Sequence, residues 1–96
     1  MFLKNYINDF YYNQVLKNYD LKFLENLNEL KFLQVFVVLK KFNCYFIEDV
    51  ILKYLEIFTI DSDEVYLGLS SLKNKLGENF MYEIGMNMTY LNEIIN

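Results

Sequence analysis

The 96-residue sequence contains no alanine, arginine, histidine, proline or tryptophan, and it has a single cysteine, Cys44. The absence of histidine removes the usual general base and the usual zinc ligand, and one cysteine cannot form an intramolecular disulfide. Without arginine, and with a net charge of −4, the chain lacks the cationic contacts that dominate affinity for nucleic-acid phosphates. We therefore expect no catalytic activity, no metal or cofactor, and no direct binding of nucleic acid.

Long apolar segments are also missing from the sequence. The longest uninterrupted apolar run covers residues 35–39, whereas a membrane-spanning helix needs about 20 apolar residues. The first residues alternate apolar with polar side chains and lack the continuous apolar run of a secretory signal. Together with the single cysteine, this pattern predicts a cytoplasmic protein with no membrane partner.

The residues that are present indicate a folded protein. Hydrophobic residues make up 54% of the chain, with nine Phe and nine Tyr, which excludes a disordered chain. A chain of this length forms one domain with a modest core. The periodicity of its apolar residues predicts a single all-α domain over residues 1–96, a bundle of about five helices, with four or six as alternatives.

Residues 24–42 contain the strongest helical pattern. Helical spacing connects Leu27, Leu30, Leu33, Phe36, Val37 and Phe42, and the remaining faces are filled by Phe32, Val35, Val38 and Leu39. A helix that is apolar on all sides is expected in the middle of a domain, so we predict a central buried helix over residues 27–42 that ends at a left-handed Asn43. A buried strand over residues 32–39 is the alternative, because valine and phenylalanine favour strands.

The same periodicity predicts four more helices, over residues 2–19, 47–58, 62–76 and from about 79 to 95. The inward stripe of the first helix includes Phe10 and Leu16. Asp20 can cap a turn or a new helix before the central one, and the pattern leaves open whether residues 20–43 form one helix or two. Gly85 weakens the last helix and indicates a close crossing or a local break there.

The helix over residues 62–76 has the clearest boundaries in the sequence. Asp61 is a predicted N-cap and Glu64 stands at the position that completes a capping box. Gly77 follows two lysines in the last turn and is the expected C-terminal stop. The acids of this region are therefore interpreted as caps, and Cys44, which has no histidine partner, as a buried and inert thiol.

The segment that begins at Asp61 and Ser62 and ends at Leu76 and Gly77 resembles the modified segment of acyl carrier proteins. In that family, a serine after an aspartate carries phosphopantetheine at the start of a helix. The resemblance covers about a third of the chain and implies a carrier protein modified at Ser62.

The remaining features favour a protein whose function is to bind another protein. Residues 49–96 carry three Lys against eight acids and are therefore −5, which suits a partner with a basic surface. We predict an immunity protein or antitoxin that neutralises a toxin such as a nuclease. An inhibitor of a defence nuclease, of the kind made by phages, and a homo-oligomeric adaptor are alternatives. The predicted contact residues are Asp61, Asp63, Glu64, Tyr66, Glu78, Tyr82 and Glu83.

Overall fold

All secondary structure in residues 1–95, the part of the chain described by a computed structural model, is helical. The α-helices are α1 (Asp9–Asn18), α2 (Leu21–Glu25), α3 (Glu29–Lys41), α4 (Ile47–Lys53), α5 (Ser62–Leu76), α6 (Phe80–Met86) and α7 (Asn92–Ile95). Short 3-10 helices cover Phe2–Asn5, Leu55–Thr59 and Met88–Leu91. The all-α class is confirmed, whereas the strand over residues 32–39 is wrong because that segment lies within α3.

The described residues form seven α-helices rather than about five, because asparagine and aspartate side chains start new helices inside the predicted ones. The N–H of Tyr11 donates to Asn8 Oδ1 over 3.0 Å, so the first predicted helix is divided and α1 begins after Asn8. Asp20 caps α2, as predicted. The N–H of Lys31 donates to Asn28 Oδ1 over 3.0 Å, and residues 20–43 are therefore two helices.

The two predicted C-terminal stops are confirmed. Asn43 has a left-handed φ of 61°. The N–H of Asn43 donates to the carbonyl of Lys40 at 2.9 Å, and the N–H of Cys44 donates to the carbonyl of Leu39 at 3.0 Å. This pair of hydrogen bonds is a Schellman motif. Gly77 ends α5 with a φ of 90°, a conformation that side chains with a Cβ rarely adopt.

The two remaining predicted helices are also divided. Residues 47–58 bend at Tyr54, between α4 and the 3-10 helix Leu55–Thr59. The last predicted helix breaks at Asn87, two residues after Gly85. The close neighbours of Gly85 come from the connection before α4 rather than from a crossing helix, because a Cβ there would meet the Tyr45 hydroxyl and lie 3.2 Å from Phe46 Cε1. No helix among the described residues has both the length and the apolar character to cross a membrane.

The core is built around the Phe32 side chain of α3, which is completely buried. Its ring stacks on Phe58 with centroids 4.4 Å apart and meets the edges of Tyr6 at 4.8 Å and Phe2 at 5.3 Å. These contacts join the N-terminal 3-10 helix, α3 and the segment after α4. The predicted central position of α3 is therefore confirmed for the face that carries Phe32.

The other side of α3 is open, which contradicts the prediction that this helix is buried all round. Leu30, Leu33 and Val37 are 64%, 39% and 42% exposed. The helix buries the face that carries Phe32 and Leu39, together with Val35 and Val38. Periodicity could not choose between two apolar faces, and the face with the large aromatic contacts is the one that the rest of the chain covers.

The inward stripe predicted for the first helix is partly wrong. Leu3, Ile7 and Val15 are buried, but Phe10 is 66% exposed and Leu16 is 42% exposed. The stripe assumed one continuous helix. The change of direction at residues 6–8, between the first 3-10 helix and α1, rotates the later residues out of phase with the earlier ones.

Aspartate substitutions on the two faces of α3 test which face of this helix is buried. We expect Phe32→Asp to unfold the protein, because a charge in an apolar interior costs several kcal/mol of a total stability of about 5–15 kcal/mol. The matched variant Leu33→Asp places its carboxylate in water and should cost about 1 kcal/mol or less. Far-ultraviolet circular dichroism with urea denaturation measures both. Unfolding by Leu33→Asp would contradict the observed exposure of the α3 face that carries Leu33.

Candidate functional site

A groove lies between α3 and α5 on the open side of α3. Its volume is about 420 Å3. We call it the α3–α5 groove. Its lining residues are Leu33, Gln34, Val37, Val38, Lys41, Ser62, Asp63 and Tyr66. Leu30 adjoins it one turn before Leu33, so that Leu30, Leu33 and Val37 form an exposed apolar row that we call the α3 stripe.

The wall of the groove on the α5 side is the ring of Tyr66, which is 49% exposed. This ring packs against Phe42 with centroids 5.1 Å apart, and Phe42 meets the edge of Phe80 at 5.9 Å. Tyr66 is thereby supported by the end of α3 and the start of α6. A ring supported in this way loses little conformational freedom when a ligand contacts its exposed half.

Two opposite charges, those of Lys41 and Asp63, line the same groove. Within residues 1–95 the ion pairs are Lys31 with Asp61 at 3.3 Å and Lys75 with Glu93 at 3.2 Å, so neither Lys41 nor Asp63 has an ionic partner there. The Lys31–Asp61 pair stands next to the groove, because Asp61 precedes the lining residue Ser62. The groove therefore combines an apolar floor with one unpaired charge of each sign.

The seven predicted contact residues are all exposed, but the structure does not bring them to one surface. Asp63 and Tyr66 line the groove, and Asp61 adjoins it. Glu64 is two residues from Tyr66 along α5, a rotation of about 200°, and so faces the opposite flank of that helix. The other three are Glu78, between α5 and α6, and Tyr82 and Glu83, on the exposed side of α6.

The predicted role of Asp61 is partly wrong. It occupies the N-cap position of α5, and its carbonyl accepts the N–H groups of Glu64 at 3.0 Å and Val65 at 3.1 Å. Its side chain makes no capping hydrogen bond, so the predicted capping box is absent at this helix start. The carboxylate pairs with Lys31 instead, because α3 passes close to the first turn of α5.

The sequence-based prediction missed Leu33, Val37 and Lys41, which form most of the α3 side of the groove. It assigned the two apolar residues to the core and the lysine only to the helix C-terminus. The available signal was the excess of apolar residues in α3, which has more of them than one buried face requires. Ser62, the residue of the acyl carrier resemblance, is half-buried in the first turn of α5 and lines the groove, and its modification stays a prediction.

A second concavity of about 360 Å3 is lined by Tyr6, Phe36, Lys40, Cys44, Tyr45, Ile47 and Glu48. The Lys40 ammonium lies over the Phe36 ring, 5.1 Å from its centroid. Cys44 is buried, and this desolvation, with a smaller contribution from the Asp49 carboxylate, raises the pKa of its thiol to about 11. The predicted burial of the thiol is confirmed, and its low reactivity stays a prediction.

No protein-family model matches the chain, and the comparisons with curated proteins and with solved structures found no similar protein.

The raised pKa of Cys44 predicts slow alkylation of the folded protein. We expect the rate with iodoacetamide to rise only as the pH approaches 11, whereas the chain unfolded in urea should react with the pH dependence of an ordinary thiol, near 9. Burial favours the neutral thiol in the folded state. The contribution of Cys44 to the free energy of unfolding is therefore complete below pH 9 and is lost as the pH rises through 11. Cys44→Ala should remove this part of the pH dependence. A native reaction midpoint near 9 would contradict the burial.

Proposed function

We propose that this protein is a non-enzymatic protein-binding module that contacts its partner through the α3–α5 groove and the α3 stripe. The observation that carries the proposal is the exposed apolar row on the side of α3 that faces away from the core. Leu33 and Val37 of this row continue into a concavity with Tyr66. Contiguous apolar surfaces rimmed by polar residues are typical of interaction sites.

The composition of the groove supports protein binding in particular. Burial of its aliphatic side chains contributes roughly 25 cal/mol for each Å2 removed from water. Tyr66 is a residue type that is enriched at interface centres and is already supported by Phe42. The charges of Lys41 and Asp63 contribute orientation more than affinity. An apolar centre with charges at its edge is the usual arrangement of a protein interface.

Photo-crosslinking tests this proposal. Benzoylphenylalanine in place of Val37 should give a crosslinked adduct in the cells that naturally express the protein. The same replacement at Leu21 is the matched control, because Leu21 is 61% exposed but lies in α2, outside the groove. Adding Leu33→Lys should remove the adduct at position 37. Equal crosslinking at both positions, or no adduct at position 37, would contradict the proposed surface.

In addition to the contact at the groove, we propose the more specific role of an immunity protein or antitoxin, whose toxin partner is attracted by acids outside the groove. Its support is the charge of residues 49–96 and the exposure of the acids there that lie away from the groove, Glu64, Glu78 and Glu83. Exposed acids accelerate association with a basic surface such as that of a nuclease. Inhibition of a defence nuclease would use the same surface and is the second candidate.

Co-expression tests the more specific role. The protein encoded next to this gene should be toxic when expressed alone, and co-expression of this chain should restore growth. We expect Glu64→Lys with Glu83→Lys to weaken the protection and to make binding less sensitive to salt, because fewer acids attract the partner. Asp9→Lys, an exposed acid in the first half, is the control. A harmless neighbour, or full protection by the double variant, would contradict this role.

A further inference from the structure

We propose that the protein occupying the α3–α5 groove is a second copy of this chain, so that the α3 stripes of two copies pack against each other across a two-fold axis. This inference rests on the proposed function, namely that the groove binds protein, and adds the identity of the partner. Three features of the surface support it: its apolar row, its local charge and the position of its two unpaired charges.

The apolar row has the geometry of a helix-packing surface. The α3 stripe extends over eight residues from Leu30 to Val37, whose seven steps along the helix give a length of about 10 Å, or two helical turns. Leu33, Val37 and Lys41 also form one row with steps of four residues, the kind of ridge that interlocks when two helices cross. A helix that is apolar on both sides is then buried on both sides: by the core of its own chain and by α3 of the second copy.

The local charge permits two identical surfaces to meet. The chain as a whole carries −4, which opposes the association of two copies. The charged groups that line or adjoin the groove are Lys41, Asp63 and the Lys31–Asp61 pair, which sum to zero. These groups leave the surface without a net charge of its own, so they add no repulsion between the copies there.

The two unpaired charges make the surface complementary to itself. In a two-fold interface, a contact from one residue to another is repeated in the reverse direction. Lys41 of one copy can then meet Asp63 of the other, and Asp63 of the first can meet Lys41 of the second. A single packing of two α3 helices would supply a partner for all four charges.

The test starts with the mass of the purified protein in sedimentation equilibrium. We expect a concentration-dependent change from the chain mass of 11.7 kDa to twice that value. Val37→Lys should remove the dimer while the circular dichroism spectrum stays helical. The matched control Leu21→Lys should leave the dimer intact. A single species of 11.7 kDa at every soluble concentration would overturn the inference, and so would loss of the dimer in the control.

A charge exchange tests the pairing itself. Lys41→Glu gives a copy with two acids at the groove, and Asp63→Lys gives a copy with two lysines. Each variant alone should have a dissociation constant raised roughly tenfold or more, because two attractions become two repulsions. An equimolar mixture should form a mixed dimer about as strong as the original, because both pairs are restored. A mixture that dimerises no better than either variant would overturn the pairing.

The crosslinking experiment separates this inference from the proposed function. An adduct at position 37 with twice the chain mass supports both proposals. An adduct of any other mass supports protein binding at the groove and overturns the second copy as its occupant. Absence of an adduct at position 37 overturns both.

Discussion

The stacking of Phe32 on Phe58 is the contact on which the rest of this structure depends. It brings α3 against the segment that follows α4, and the edges of Phe2 and Tyr6 close over the same ring. Two buried rings, Phe32 and Phe58, and two partly buried ones pack at this place. Their contact outweighs the burial of three aliphatic side chains, because aromatic rings remove more apolar surface from water. This contact turns the Phe32 face of α3 toward the core and thereby leaves the α3 stripe exposed.

Short polar side chains determine how the helices are divided. Asparagine is abundant in this sequence, and Asn8, Asn28 and Asn87 each accept a hydrogen bond from the first turn of the helix that follows. A chain without proline and with only three glycines still obtains sharp boundaries in this way. The resulting short helices change direction often, which lets them cover one face of α3 from several sides while its other face remains open.

The candidate site is a consequence of the same packing. Tyr66 faces the groove because α5 crosses near the end of α3, where Phe42 supports its ring. The first turn of α5 lies close to the start of α3, so Asp61 pairs with Lys31. Asp63 lines the groove and has no ionic partner within residues 1–95. The chemistry of this surface is apolar contact with two opposite charges, and the buried thiol of Cys44 takes no part in it.

Local patterns in the sequence determined the helical class, the stops at Asn43 and Gly77, and the burial of Cys44. These features depend on residues close together in the chain, through hydrogen bonds within one or two turns and through the balance of apolar and polar side chains. Tertiary structure alone decided which face of α3 is exposed, because both faces are apolar and the decisive rings, Phe32 and Phe58, are 26 residues apart in sequence. The same holds for the groove, since its two walls come from helices whose relative position no local pattern encodes.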